Sequence, residues 1–387
     1  MPDSIDVGLA LSGGGYRAML FNLGSVWRLN EMGWLPKLDM ITSVSGGSIL
    51  NGVLATRWSR LRWEDRAAGR VAANFADEVA EPVRRLAGRT LDVFAGIEGI
   101  LSIFSTISDK VADAYDKHLF DGARLQAAVP AFDKGKTPRF LFYATSLQTG
   151  SSVRIERKRL ADYRIGEIPN PDLSIARIVA SSSAFPPVLS PVELELDPNE
   201  WRPLDGASLF GDVAFRKRLL LTDGGVYDNM GLEAIWDRCH TVLVSDAGAP
   251  LDMQAAPATD WTRQAMRVLD IVTEQTRALR RRKLVEDFRQ THEGPIAAAP
   301  GGASVRNGTY WGIKTTIDSY GVGDALARDT PVTAALQGIR TRLNEFSAEE
   351  QGRLINWGYA LTDAAMRAWV VRGAERASVW PIPEHPL

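Results

Sequence analysis

Residues 5–11 (IDVGLAL) form a short apolar run that breaks off into Ser12-Gly13-Gly14-Gly15. Such a run, bounded by a turn signal, predicts a buried strand and a tight loop. Apolar residues then return at helical spacing. Met19, Leu20, Leu23, Val26 and Trp27 predict a helix over 16–32, with Gly33 as its stop. Residues 40–44 predict a second strand. A helix over about 47–58 follows, with Ile49, Leu50, Val53 and Leu54 on its apolar face. Strand, loop, helix, strand, turn, helix is the order of a parallel sheet covered on both faces. The expected class is therefore α/β, a three-layer α/β/α fold around a central, mostly parallel sheet.

Residues 60–120 break this rhythm. Positions 62–89 are highly charged and read as mostly helical, while 91–107 is apolar apart from Asp92 and Glu98. The region reads as a helical insertion over the sheet edge, with 91–107 either a lid or membrane-contacting insertion over a site or a packed core helix. Strand patterns resume at 139–146 and 152–156, then at 219–222 and 241–245. A helix is expected over 174–183, and a long amphipathic one over 261–291, with Met266, Leu269, Val272 and Leu279 recurring along it. A short strand-like piece at 309–315 and two more helices complete the chain. No polar linker separates independent units. Residues 1–250 are expected to form a catalytic domain, with 251–387 a mostly helical extension packed on it.

The bulk numbers narrow the function classes. The 387 residues carry 45 Lys plus Arg against 47 Asp plus Glu, a formal net charge of -2. That excludes a nucleic-acid polycation and leaves attraction to an anionic surface to local patches such as Arg280-Arg281-Arg282-Lys283, read first as a solvated helix face. Cys239 is the sole cysteine and reads as a small buried hydrophobe. No signal-peptide pattern opens the chain and no apolar stretch reaches the roughly 20 residues of a spanning helix, so a cytoplasmic protein is expected. Contact with a membrane would be peripheral. No metal or cofactor is implied.

Three motifs carry chemistry. Ser12-Gly13-Gly14-Gly15-Tyr16-Arg17-Ala18 lies between a strand and a helix; its amides, beside the positive end of that helix, suit a negative oxygen. Ser43-Val44-Ser45-Gly46-Gly47 lies at a strand-to-helix turn, the context of a nucleophile elbow. A serine needs a base. None of the four histidines, His118, His240, His292 and His385, follows an acidic residue in the order that a hydrolase triad requires. A carboxylate is the alternative. Among Asp121-Gly122, Asp205-Gly206 and Asp223-Gly224-Gly225, only Asp223 closes an apolar strand. A strand end there places it at the carboxyl edge of the sheet, with Ser45. Asp121 reads as a helix N-cap and Asp205 as part of a polar loop.

Together with Ala180-Ser181-Ser182-Ser183-Ala184-Phe185-Pro186-Pro187 and with Asp223-Gly224-Gly225-Val226-Tyr227-Asp228-Asn229, these motifs resemble the patatin-like phospholipases over about residues 5–250. The resemblance implies the patatin-like fold and a Ser-Asp dyad that cleaves fatty-acyl esters of lipids or phospholipids. Ser45 would be the nucleophile and Asp223 the base. The amides of Gly13, Gly14, Gly15 and Gly46 would form the oxyanion hole, with Arg17, Gly47, Gly224 and Gly225 in support. Arg17 is read as a brace of the loop rather than a ligand of a lipid phosphate. Two residues depart from the family pattern: Ser12 stands where aspartate is frequent, and Ser43 where glycine is usual.

Two rival readings remain. The glycine loop fits a loose dinucleotide fingerprint, but no acidic residue ends the second strand, where a ribose would be held. A catalytically idle family member with a regulatory role is the other.

Overall fold

The computed structural model describes residues 5–91, 104–236, 238–293 and 306–387. Twelve strands are present among them: β1 (Val7–Leu11), β2 (Met40–Ser43), β3 (Trp63–Arg66), β4 (Gly69–Ala72), β5 (Arg139–Ser146), β6 (Ser152–Glu156), β7 (Arg159–Asp162), β8 (Gly166–Pro169), β9 (Val192–Glu195), β10 (Arg218–Asp223), β11 (Thr241–Asp246) and β12 (Asn307–Gly312). The helices of eight residues or more are α1 (Gly15–Glu31), α2 (Gly46–Arg57), α3 (Phe104–Tyr115), α4 (Ile175–Ser182), α5 (Trp261–Glu293) and α6 (Ala348–Trp369). The fold is α/β, a central sheet with flanking helices.

The sheet runs β12-β11-β1-β2-β5-β6-β7-β8. From β12 to β5 every pairing is parallel; beyond β5 every pairing is antiparallel, because short turns rather than helices join β5 to β8. Its parallel part is thus the half built from helix-linked strands, and the sheet as a whole is mixed. The near-continuous apolar runs of β1, β2 and β11 are buried along most of their length, as strands with both faces covered must be.

One pairing matters most. β6 occupies one side of β5 from Leu141 to Thr145, so β10, which pairs antiparallel with Ala144–Ser146, lies on the other side. β2 already pairs with Arg139–Phe142 on that side. β2 and β10 therefore share one lane beside β5 and approach each other end to end, with Ser43 level with Phe142 and Asp223 level with Ala144.

Residues 62–89 are less helical than expected. Trp63–Ala72 form an antiparallel hairpin, in which Trp58 packs on Trp63, and only 76–87 are helical. The apolar stretch 91–107, read as lid or core, lies largely outside the described residues. Asp121 does not open a helix: it ends the turn Asp116–Phe120 in a left-handed conformation, with φ of 47°. Among the described residues no helix is long and apolar enough to cross a membrane.

The C-terminal residues complete the core. β12 extends the sheet beside β11, and α6 packs along α1. The two helices approach closely at glycines, since a Cβ on Gly24 would lie 1.8 Å from the Ile355 carbonyl oxygen and one on Gly358 2.0 Å from that of Phe21. Buried Asp363 of α6 pairs with Arg28 of α1 at 2.6 Å.

Candidate active site

Ser45 follows β2 and caps α2 with φ of 50° and ψ of -120°. A positive φ in a non-glycine residue stores roughly 1–3 kcal/mol and persists only where the surroundings enforce it. Two sets of contacts enforce it here. The glycine loop presses from one side: a Cβ on Gly46 would lie 2.0 Å from the Gly15 carbonyl oxygen, and one on Gly47 2.5 Å from that of Leu11. Only glycine lets these backbones meet.

The end of α4 holds the other side. The Ser45 amide donates to the Ser182 carbonyl at 3.2 Å and lies 3.1 Å from its hydroxyl. Ser182 Oγ and Ser48 Oγ are 2.8 Å apart, Ser48 donates to Ser43 Oγ at 2.9 Å, and Ser43 donates to the Leu141 carbonyl at 3.3 Å. Asn51 also donates to Ser43 Oγ, at 2.9 Å. The chain of hydroxyls ends on a carbonyl, so every donor in it is used. Ser182 belongs to the Ala-Ser-rich stretch 180–187 that the sequence singles out, whereas Ser48 and Asn51 carry no signal in the sequence.

Asp223 is brought to the same place, though not as a parallel strand end. β10 runs antiparallel to β5 and stops at the level just beyond β2. The Asp223 amide donates to Ala184 and the Gly224 amide to Ser182, so one carbonyl, that of Ser182, receives both Ser45 and Gly224. Thr145 Oγ1 donates to the Asp223 carbonyl at 2.9 Å. Asp223 is 3% exposed and Ser45 7%. Asp223 Oδ1 accepts the Gly225 amide at 2.7 Å. Oδ2 is buried, with no partner in hydrogen-bond geometry among the described residues. Burial pushes the Asp223 carboxyl up to about 6, against the opposing pull of the Gly225 amide and of the Ser45 hydroxyl beside it.

The glycines expected to hold an oxyanion are not equivalent. The Gly13 amide is taken, donating to the Asn229 carbonyl at 3.0 Å, and a Cβ on Gly13 would lie 2.3 Å from Asn229 Oδ1 and 3.0 Å from Ser45 Cβ. Gly13 therefore packs against the site rather than offering a donor. Gly14 precedes α1, while Gly15 and Gly46 are first residues of α1 and α2, whose first amides have no partner within the helix. Among the described residues these three amides find no backbone acceptor. Gly224 and Gly225 form the turn after Asp223, with Gly224 against the Tyr143 carbonyl and Gly225 against Asn229 Oδ1. Asn229, which ties that turn to the glycine loop, is a further residue the sequence reading left without a role.

Arg17 is buried and points away from this cluster. Its guanidinium donates to the carbonyls of Ala247 at 2.8 Å and Ile339 at 2.8 Å. Burial, and then Arg277, pull its pKa down to about 10. Ser12 fastens the same loop, its hydroxyl accepting the Ala247 amide at 2.7 Å. Cys239 is buried beneath β1, and burial pushes its thiol up to about 12. Arg280 reaches back to Asp228 at 3.0 Å, and Lys283 pairs with Asp287 at 2.5 Å, so half of the 280–283 basic cluster is engaged. Among the described residues no group of His, Cys, Asp or Glu side chains is arranged to hold a metal ion.

A strained serine beside a buried, hard-to-ionise carboxylate, next to a glycine loop and a helix start whose amides lack backbone acceptors, suits acyl transfer. A family model described as patatin-like phospholipase matches residues 9–236. No curated protein sequence matches the chain. Among solved structures, human GIVD cytosolic phospholipase A2 is similar, with a TM-score of 0.50 and 14% identity over 94% of this chain and 61% of that one. The human enzyme in complex with methyl gamma-linolenyl fluorophosphonate and terbium chloride gives 0.49, 15%, 94% and 58%. VipD from Legionella pneumophila gives 0.36, 15%, 92% and 66%. At such identity the likeness concerns the fold alone, and the chain spans about three fifths of the human enzyme's length.

Proposed function

The chain belongs to the patatin-like phospholipase family, and from that premise we propose that it is a serine acyl hydrolase cleaving fatty-acyl esters of lipids or phospholipids. One observation carries the reading: Ser45, held at φ of 50°, stands beside a buried Asp223 whose carboxyl is raised to about 6. Ser45 Oγ attacks the ester carbonyl as Asp223 accepts its proton. The oxyanion is held by the amides of Gly14, Gly15 and Gly46, Gly13 being engaged with Asn229. Each such donor contributes about 3 kcal/mol to transition-state stabilisation. Collapse expels the alcohol, which takes the proton from Asp223. Water, deprotonated by the same carboxylate, then attacks the acyl-serine, releases the fatty acid and restores the hydroxyl.

The amide set and Asp223 contact only the reacting ester, so ester, lysophospholipid and diacyl phospholipid remain within one reaction class. Ser45→Ala and Asp223→Ala are each expected to lower fatty-acid release by at least about 10³-fold with the thermal transition retained. Full activity in either would overturn the reading. A fluorophosphonate probe is expected to label wild type and not Ser45→Ala; a wild type that stays unlabelled would favour an idle, regulatory family member.

A further inference from the structure

α5 is anchored by one face and bare on the opposite one. Its inward face carries Leu284 and Phe288, both buried, and Arg277, which pairs with buried Asp246 at 3.3 Å. Arg280 joins this face to Asp228, five residues after Asp223. The helix is thus tied both to the strand end beside the glycine loop and to the turn that follows the catalytic carboxylate.

The outward face is apolar where a solvated helix would be polar. Trp261, Val268, Val272 and Leu279 recur at spacings of seven, four and seven, which brings them to one side, and they are 81%, 57%, 54% and 59% exposed. A contiguous stripe of this kind marks a docking surface. Residues 261–283 carry seven Arg or Lys against two acidic residues, a net +5 in a chain whose total is -2. Arg277 and Arg280 turn inward and Lys283 is held by buried Asp287, whereas the acidic partner of Arg263, Asp260, is exposed and holds it weakly. Arg282 is exposed at the end of the stripe.

We propose that this face of α5 docks the protein onto an anionic lipid surface. An apolar stripe with a terminal tryptophan and basic neighbours has the make-up of a helix lying in the plane of a membrane interface. Each Lys or Arg near such a surface contributes about 1 kcal/mol. The spacing would also suit a helix of a second copy, but two such faces, each carrying exposed Arg263 and Arg282, repel, whereas anionic headgroups neutralise them. The docking deepens the acyl-hydrolase reading, because it brings the site to the phase in which its substrate resides.

The test separates binding from chemistry. Ser45→Ala protein, which cannot consume the lipid, is sedimented with vesicles of phosphatidylcholine alone and of phosphatidylcholine with phosphatidylglycerol. Binding is expected to the anionic vesicles, to weaken as salt is raised, and to fall at least tenfold in Val268→Asp/Val272→Asp and severalfold in Trp261→Ala. With Ser45 intact, these variants are expected to hydrolyse a monomeric short-chain ester at the wild-type rate. No vesicle binding, or binding unchanged in both variants, overturns the docking. So does a concentration-dependent dimer in light scattering that the same substitutions abolish. Vesicle binding without ester hydrolysis would instead overturn the catalytic reading and leave the docking intact.

Discussion

In the proposed mechanism Ser45 and Asp223 divide the work through their surroundings. The serine gains an approach angle from its backbone, and the carboxylate gains basicity from burial. An ordinary aspartate, with a pKa near ~3.9, is a poor base at neutral pH; at about 6, Asp223 is far better matched to the task. The ionised form is the active one, so kcat/KM for a neutral ester is expected to fall as pH drops through about 6 and to be flat above it until other groups titrate. A pH–rate profile checks this, and a limb near 4 would mean that burial does not govern the carboxylate. Because its pKa is raised in the folded state, ionising Asp223 costs stability as pH rises through 6, so the native packing holds the charge against its preference. Both candidates stand out in the sequence from motif order together with their places at strand ends. The engagement of Gly13 was not, because it depends on the carbonyl of a residue 216 positions away. The departures at Ser12 and Ser43 acquire a meaning only in three dimensions, as the hydroxyls that bolt the loop to β11 and the elbow to β5.

Among the elements, the parallel strands and α1 and α2 could be read from hydrophobic period, since each is buried in one continuous stretch. The hairpin Trp63–Ala72 could not, because its strands are mostly exposed and carry no alternation. The strand ending in Asp223 was found, but its direction was not: an apolar run says nothing about which way a strand points. The α1–α6 pair illustrates how a glycine outweighs its own propensity. Alanine normally favours a helix over glycine by about 1 kcal/mol, yet a Cβ at Gly358 would meet the Phe21 carbonyl at 2.0 Å. Gly358→Ala is therefore expected to destabilise the protein by about 1–3 kcal/mol, read as a lower midpoint in urea unfolding. A raised midpoint would mean that the helices slide apart freely.

At the scale of the molecule, the family match ends at residue 236 but the site's support does not. Arg17 donates to Ile339, a Cβ on Gly15 would meet the Thr341 carbonyl at 1.4 Å, and α6 covers α1, which starts from the glycine loop. A chain truncated after residue 250 would expose the buried face of α1 and leave Arg28 without Asp363, a loss of about 3–5 kcal/mol from the broken buried pair alone. Such a protein is expected to be insoluble or to lack a cooperative thermal transition in calorimetry; a soluble, active fragment would show that the C-terminal third is dispensable. The sequence showed no linker at this point, which agrees with a core shared across it.

Because β2 and β10 enter one lane beside β5 from opposite ends, β5 serves both as a ruler. A strand on a ladder fluctuates by tenths of an ångström about one register but changes register only by whole residues, about 3.3 Å at a time, and a single step turns every side chain to the other face of the sheet. The coarse spacing between the proposed nucleophile and base is therefore digital. A mutation that shifts it by more than such fluctuation must break a register outright, so in a series of variants large changes of the reactive geometry should appear as losses, with few intermediates.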